Sequence, residues 1–160
     1  MSKFLLSVLL TLSLNVNADE VKGLVTWVTD GDTITVKRQD TGESIKVRLA
    51  QIDAPETSHY GSLTQPYGNE SAVLLKKTVY NKTVSIYPSS VDYYGRTIAE
   101  VFYRGVDINK FMVSKGAAWA YTTFVIDESI FNLQNKAKNN RIGLWSDVNA
   151  VPPWQWRKEH

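Results

Sequence analysis

The sequence predicts an α+β fold dominated by β, a five-stranded Greek-key barrel with three helices. Three observations point there. Short segments of alternating apolar and polar residues fill the first half of the chain, separated by turns of Gly, Asp and Pro. One stretch of helical period interrupts them after the third strand, and helical spacing takes over after the fifth. A length of 160 residues suits one domain with a real core. Periodicity alone leaves an open sheet as the alternative to a barrel.

Taken in order, residues 1–18 read as an export signal: Lys3 supplies a positive start, Phe4 to Leu14 an apolar run, and Val16-Asn17-Ala18 a small-residue cleavage pattern. The apolar run is short for a membrane span. The expected product is a single domain over residues 19–160, secreted or periplasmic, without stable membrane association. Val21 to Thr29 is β-branched and apolar, a first strand. After the Asp30-Gly31-Asp32 turn, Thr33 to Arg38 alternates as a half-buried second strand. Asp40-Thr41-Gly42-Glu43 turns the chain into a third strand, Ser44 to Ile52. Ser58 to Gly68 reads as an exposed loop. A helix follows, with Asn69 as its cap and Ala72, Leu75 and Val79 on one face. Thr83 to Tyr87 is a fourth strand, ended by Pro88, and Arg96 to Tyr103 a fifth. Asp107 suits the cap of a short helix closed at Gly116, and Asp127 the cap of a third helix bearing Ile130, Leu133 and Ala137. The tail, with Trp154 and Trp156, is expected to pack aromatics onto the barrel.

Composition narrows the chemistry. The chain has no cysteine, which excludes disulfides, thiolate zinc sites and a thiol nucleophile. Its two histidines, His59 and His160, make a His-ligated zinc site or a histidine-rich nuclease site a poor fit. The formal net charge of +2 is too small to argue nucleic-acid binding by itself. Any catalysis must use carboxylates, arginines, hydroxyls and backbone.

Those groups cluster in three places. The first is Asp30-Gly31-Asp32-Thr33. The second is Arg48-Leu49-Ala50-Gln51-Ile52-Asp53-Ala54-Pro55-Glu56-Thr57. The third is Asp92-Tyr93-Tyr94-Gly95-Arg96. Arg48 and Asp53 are an odd number of residues apart, so a regular strand would point them to opposite faces. Sharing a site requires a bend or bulge between them, for which Pro55 is the sequence's candidate. Pro55 also favours an extended Ala54, whose carbonyl can then turn toward a metal. Carboxylates suit a hard cation such as calcium, and arginine's planar fork matches phosphate oxygens. Together they suggest metal-assisted phosphodiester cleavage. Glu56 is the candidate general base, either taking a proton from the attacking water or orienting it. Arg48 and Arg96 are candidates to clamp the phosphate and neutralise charge in the transition state. Standing alone, Asp-Gly-Asp reads as an ordinary turn, Glu56 as a surface residue, and Arg48 as half of a salt bridge.

DGDT, then RLAQIDAPET, then DYYGR, in that order, resembles the staphylococcal (micrococcal) nuclease family over roughly Val21 to Trp145. The resemblance implies an OB-fold barrel with three helices and a nuclease that uses Ca²⁺. It implies that Asp32 and Asp53 ligate the metal with the carbonyl of Ala54, that Glu56 reaches it through water, and that Tyr94 contacts the terminal phosphate. Two departures stand out. Ala54 replaces the usual threonine, and Tyr93 replaces a lysine; the loop before the first helix also lacks lysine. Alanine still supplies the carbonyl at 54, so only a hydroxyl hydrogen bond is lost there; the missing lysines at 93 and in the loop imply a weaker electrostatic grip on single strands or an altered end preference. Trp119, Tyr121 and Phe124 lie near the family's base-stacking aromatics, and a core role suits them equally.

The expected function is therefore an exported Ca²⁺-dependent nuclease, a monomer acting on DNA and RNA with single strands preferred. The alternatives are a nuclease-like barrel that holds nucleic acid without cutting it, and an exported barrel with no nucleic-acid role. Asp32, Asp53, Glu56, Arg48 and Arg96 are all present, which favours the enzyme.

Overall fold

The computed structural model describes residues 19–58 and 63–160, so the expected export segment at 1–18 lies outside the described residues. The chain runs β1 (Val21–Val28), β2 (Thr33–Arg38), β3 (Ser44–Leu49), β4 (Ile52–Asp53), α1 (Gly68–Val79), β5 (Thr83–Val91), β6 (Thr97–Tyr103), β7 (Val106–Asp107) and α2 (Ile108–Ser114). Then come β8 (Trp119–Ala120), α3 (Ser129–Asn139), a 3-10 turn (Gly143–Ser146) and α4 (Pro153–Glu159).

The alternating segments form an antiparallel meander, β1 pairing with β2 and β2 with β3. β1 also pairs with β5, and β5 with β6. One further pairing decides between barrel and open sheet. β3 lies parallel to β6, with Val47 opposite Thr97 and Leu49 opposite Ala99. That seam closes β1, β2, β3, β5 and β6 into a five-stranded barrel of the OB type, as expected. Inward positions carry Val25, Ile34, Val36, Val47, Leu49, Val84, Ile86, Ala99 and Val101, all buried, and Leu75, Val79 and Met112 of the helices join the same core.

Buried Asn109 fixes the seam. It accepts the Val101 N–H at 3.0 Å and donates to the carbonyls of Ala50 at 3.0 Å and Ala99 at 3.1 Å. A polar side chain is tolerated there because its Oδ1 and Nδ2 are both engaged.

Several expectations need correction. The third strand stops at Leu49 rather than Ile52, because the chain turns at Ala50-Gln51 and Gln51 takes a left-handed φ of 67°. The fourth strand runs past Pro88 to Val91; its pairing with β6 is irregular between Pro88 and Ser90, which accommodates the missing N–H. α1 begins at Gly68, capped by left-handed Tyr67 rather than by Asn69. Asp107 does cap α2, accepting the Lys110 N–H. Asp127 accepts the Ser129 N–H at 2.9 Å, one residue ahead of the Glu128 cap of α3. There are four α-helices among the described residues, not three, because the tail itself is helical. None of the described helices is long and apolar enough to cross a membrane.

Asn109→Ala should leave the Val101 N–H and the Ala50 carbonyl without their partner. The expected loss is about 1–3 kcal/mol in equilibrium urea unfolding with an unchanged m-value.

Candidate active site

The site begins at the turn before β2. Asp32 donates its N–H to Asp30 Oδ1 at 3.0 Å, forming a turn closed by a side chain. A Cβ at Gly31 would sit 1.8 Å from Ser71 Oγ and 2.7 Å from Ala54 Cβ, so only glycine lets this turn pack so close to residue 54. Asp32 is thereby buried and saturated. Its Oδ1 accepts the Thr33 hydroxyl at 2.9 Å, and its Oδ2 accepts the Ala54 N–H at 2.7 Å.

The pairing of Thr33 with Arg48 in the β2–β3 ladder sets Arg48 beside Asp32, and its Nη1 lies 2.7 Å from Asp32 Oδ2. The odd spacing of Arg48 and Asp53 is solved at Gln51, before Asp53, and not at Pro55. Gln51 is held in its left-handed conformation by its own amide. That amide donates to Glu100 at 3.2 Å and accepts the N–H groups of Ile126 and Asp127 at 2.7 Å each. β4 then runs back along β8, Asp53 facing Trp119 in register. Arg48 Nη2 reaches Asp53 Oδ1 at 2.6 Å and its Nη1 reaches the Ile52 carbonyl at 3.0 Å. One guanidinium therefore joins two carboxylates from different turns, all three residues being buried.

Glu56 follows three residues on, and its backbone is clamped by Gln65, which is 3 % exposed. Gln65 Oε1 accepts the Glu56 N–H at 3.1 Å, and the Gln65 N–H donates to the Glu56 carbonyl at 2.9 Å. A Cβ on Gly68 would lie 2.2 Å from that same carbonyl oxygen. The expected exposed loop before α1 is thus anchored at its far end.

Arg157 of α4 joins the site from outside the three sequence clusters. Its Nη2 lies 2.8 Å from Asp53 Oδ2, and its Nη1 bonds Glu56 Oε1. The spacing held a signal: Trp154 and Arg157 are three apart, so a helix presents both on one face. Trp154 is the residue that packs, stacked on Tyr121 at 5.3 Å with planes 5° apart and edge-on to Trp119 at 5.8 Å. Trp119, Tyr121 and Phe124 thus form an aromatic cluster with the tail helix, Phe124 being its exposed member.

Arg96 and Tyr94 are placed differently. Arg96 Nε pairs with Asp92 Oδ2 at 2.7 Å, and its guanidinium lies 5.6 Å from the Tyr94 ring centroid. Gly95, at φ 77°, makes the turn between them. Arg48 is opposite Ile98 across the barrel seam, and Arg96 lies one residue before β6, which starts at Thr97 rather than at Arg96 as expected. Among the described residues it makes no ion pair with Asp32, Asp53 or Glu56. Tyr94 and Tyr93 are exposed at the hairpin tip.

The electrostatics follow from burial. Burial pushes the Asp53 carboxyl up to about 6, with the nearby Asp32 charge adding to it, while Arg157 and Arg48 pull the other way. Asp30 is pushed well above the usual carboxylate range by burial and by Asp32. Burial opposes the Arg48 charge, but Asp32 and Asp53 more than offset it, so it stays cationic. This is a crowd of negative charge that needs cations. Its donors, aspartate oxygens beside a turn, are the hard type that suits calcium. Among the described residues no group of three or more His, Cys, Asp or Glu side chains is arranged to hold a metal ion; Asp32 and Asp53, the ligands the sequence nominates, meet at Arg48.

The family model described as "Staphylococcal nuclease homologue" matches residues 46–147, well over half of the chain. The chain belongs to the staphylococcal nuclease family. It is 40% identical over 158 residues to a protein of Escherichia coli named "Uncharacterized endonuclease", covering 98% of each. It is 42% identical over 135 residues to an "Uncharacterized endonuclease" of Haemophilus influenzae, covering 84% of this chain and 72% of that one. It is 37% identical over 152 residues to a "Micrococcal nuclease" of Shigella flexneri, covering 87% and 82%. The barrel and the nuclease type are thereby those expected from the three motifs.

Gly68→Ala should push the Glu56 turn away from its neighbours. On the role the sequence nominates for Glu56, a shift of about 1 Å costs on the order of 100-fold, which a turnover assay on a variant of unchanged circular dichroism would read.

Proposed function

We propose that this chain is an exported, calcium-dependent nuclease that hydrolyses phosphodiester bonds of DNA and RNA with little sequence preference. The observation that carries this reading is the convergence of Asp32 and Asp53 on the Arg48 guanidinium, with Glu56 on the next turn, in a chain of a nuclease family. Export is supported by the pattern of residues 1–18 alone.

In this reading Asp32 and Asp53 would hold the cation, with the Ala54 carbonyl as a further oxygen. Calcium, when bound, draws charge from a phosphate oxygen as a Lewis acid. Arg48 is fixed by its two aspartates and offers its remaining N–H capacity to the phosphate. Glu56 positions or deprotonates the attacking water, its backbone held by Gln65 so that the carboxylate starts from one place. Arg96 takes a second phosphate oxygen on exchanging its Asp92 partner for substrate. That exchange is a modest step, since the pair is partly exposed and solvent-screened. Tyr94, exposed beside it, meets the terminal phosphate, and exposed Phe124 offers a ring to a base.

Incubating the chain with single-stranded DNA, in calcium and in chelator, tests the reading. Degradation is expected only with calcium. Binding without degradation would make the chain a nucleic-acid-holding module instead. Glu56→Gln should cut turnover by about 10² to 10⁴ while calcium affinity, measured by calorimetry, stays within a few-fold. Undiminished turnover would remove Glu56 from the chemistry.

A further inference from the structure

α4 is a seven-residue helix, too short to hold itself together in water, so its position depends on what it packs against. Three contacts seat it. Gln65 Nε2 donates to the Val151 carbonyl at 2.6 Å just ahead of it. Pro153 is buried, and Trp154 lies flat on Tyr121. One turn further, Arg157 reaches the carboxylates. Asp53 Oδ1 already holds Arg48, and Arg157 takes its other oxygen together with Glu56 Oε1. With Asp32 satisfied by Thr33, Ala54 and Arg48, every oxygen of the aspartate pair has a donor. A divalent cation that is to use Asp53 Oδ2 meets the Arg157 guanidinium at 2.8 Å from that oxygen, and two positive charges on one oxygen repel, so the cation has to displace it.

The charges agree with such an exchange. Asp32, Asp53 and Glu56 against Arg48 and Arg157 leave one net negative charge; withdrawing Arg157 leaves two, which a divalent cation matches. The Arg157 side chain is 40% exposed, so its withdrawal opens no buried void.

We propose that α4 is an autoinhibitory latch: the Arg157 guanidinium competes with the divalent cation for Asp53 and Glu56, so that tail docking and cation binding exclude each other. The latch rests on the calcium reading above and adds a regulator to that site. The tail withholds Asp53 and Glu56 until cation concentration is high enough to expel it, which suits a nuclease made in a calcium-poor compartment and used outside it.

The test is calorimetric titration of the chain with calcium alone, without substrate, beside Arg157→Ala and Trp154→Ala. Arg157→Ala removes the competitor; Trp154→Ala keeps its charge and removes the stack that seats it. Both should bind calcium at least ~10-fold more tightly, as expected if the competent, undocked state is a minor population in the parent chain. In the parent chain, calcium should also speed tryptic cleavage after Arg157 and Lys158, which reads the latch without any substitution. Tightening in Arg157→Ala but not in Trp154→Ala would reduce the effect to removal of a nearby charge and overturn the latch. So would equal affinities in all three chains with unchanged cleavage, leaving the calcium reading in place. Absence of calcium binding in all three would overturn both.

Discussion

Everything at the site depends on the ionic triad in which Arg48 holds Asp32 and Asp53. Burying three charges is costly, and their mutual attraction offsets desolvation only when the geometry is good and the spare lone pairs are satisfied. Here they are: Thr33 and the Ala54 N–H complete Asp32, and the Ile52 carbonyl takes a further Arg48 proton. Removing one member of such a triad typically costs about 3–5 kcal/mol, because the survivors are left buried and unpaired. Its return is positional. Two turns separated by the whole β2–β3 hairpin are locked to one guanidinium, and the triad can be no looser than its hydrogen bonds.

The barrel supplies rigidity to segments that are not themselves regular. The triad sits where β2 begins and β3 ends, and the β3–β6 seam fixes the height of that edge. Asn109 ties the seam at the residue where the chain leaves it, and Gln51 fixes the tight turn that carries Asp53 back. Gly31 and Gly68 allow two close approaches, of the Asp32 turn to Ala54 and of α1 to the Glu56 carbonyl. Catalytic side chains on turns are usual, since turns tolerate special backbone geometry while the sheet beneath does not move. Aromatic packing of the tail then covers the same edge from outside.

Much of this was legible in the residues, for identifiable reasons. Alternation gave β2 and β3 because one face of each is core and the other is not, and Asp107 gave the start of α2 because a capping carboxylate acts locally. The three motif clusters pointed to the carboxylates and arginines, and Asp32, Arg48 and Asp53 do meet. What the residues leave unmarked depends on long-range contacts. The turn at Gln51 is stabilised by Ile126 and Asp127, some 75 residues away, so neither a glycine nor a proline marks it. Gln65 and Asn109 look like ordinary polar residues until their partners are placed. Arg157 is separated from Asp53 by 104 residues and sits in a tail whose marked feature in the sequence is its tryptophans. That Arg96 pairs with Asp92 rests on the turn at Gly95, which brings residues four apart together.

The most direct measurement of the central claim is a crystal structure of the chain grown in calcium, with the ion located by its anomalous scattering. The account places a single ion against Asp32 and Asp53, within reach of Glu56 through water. An ion bound elsewhere, or a crystal with calcium in excess and Arg157 still paired with Asp53 and Glu56, would contradict it.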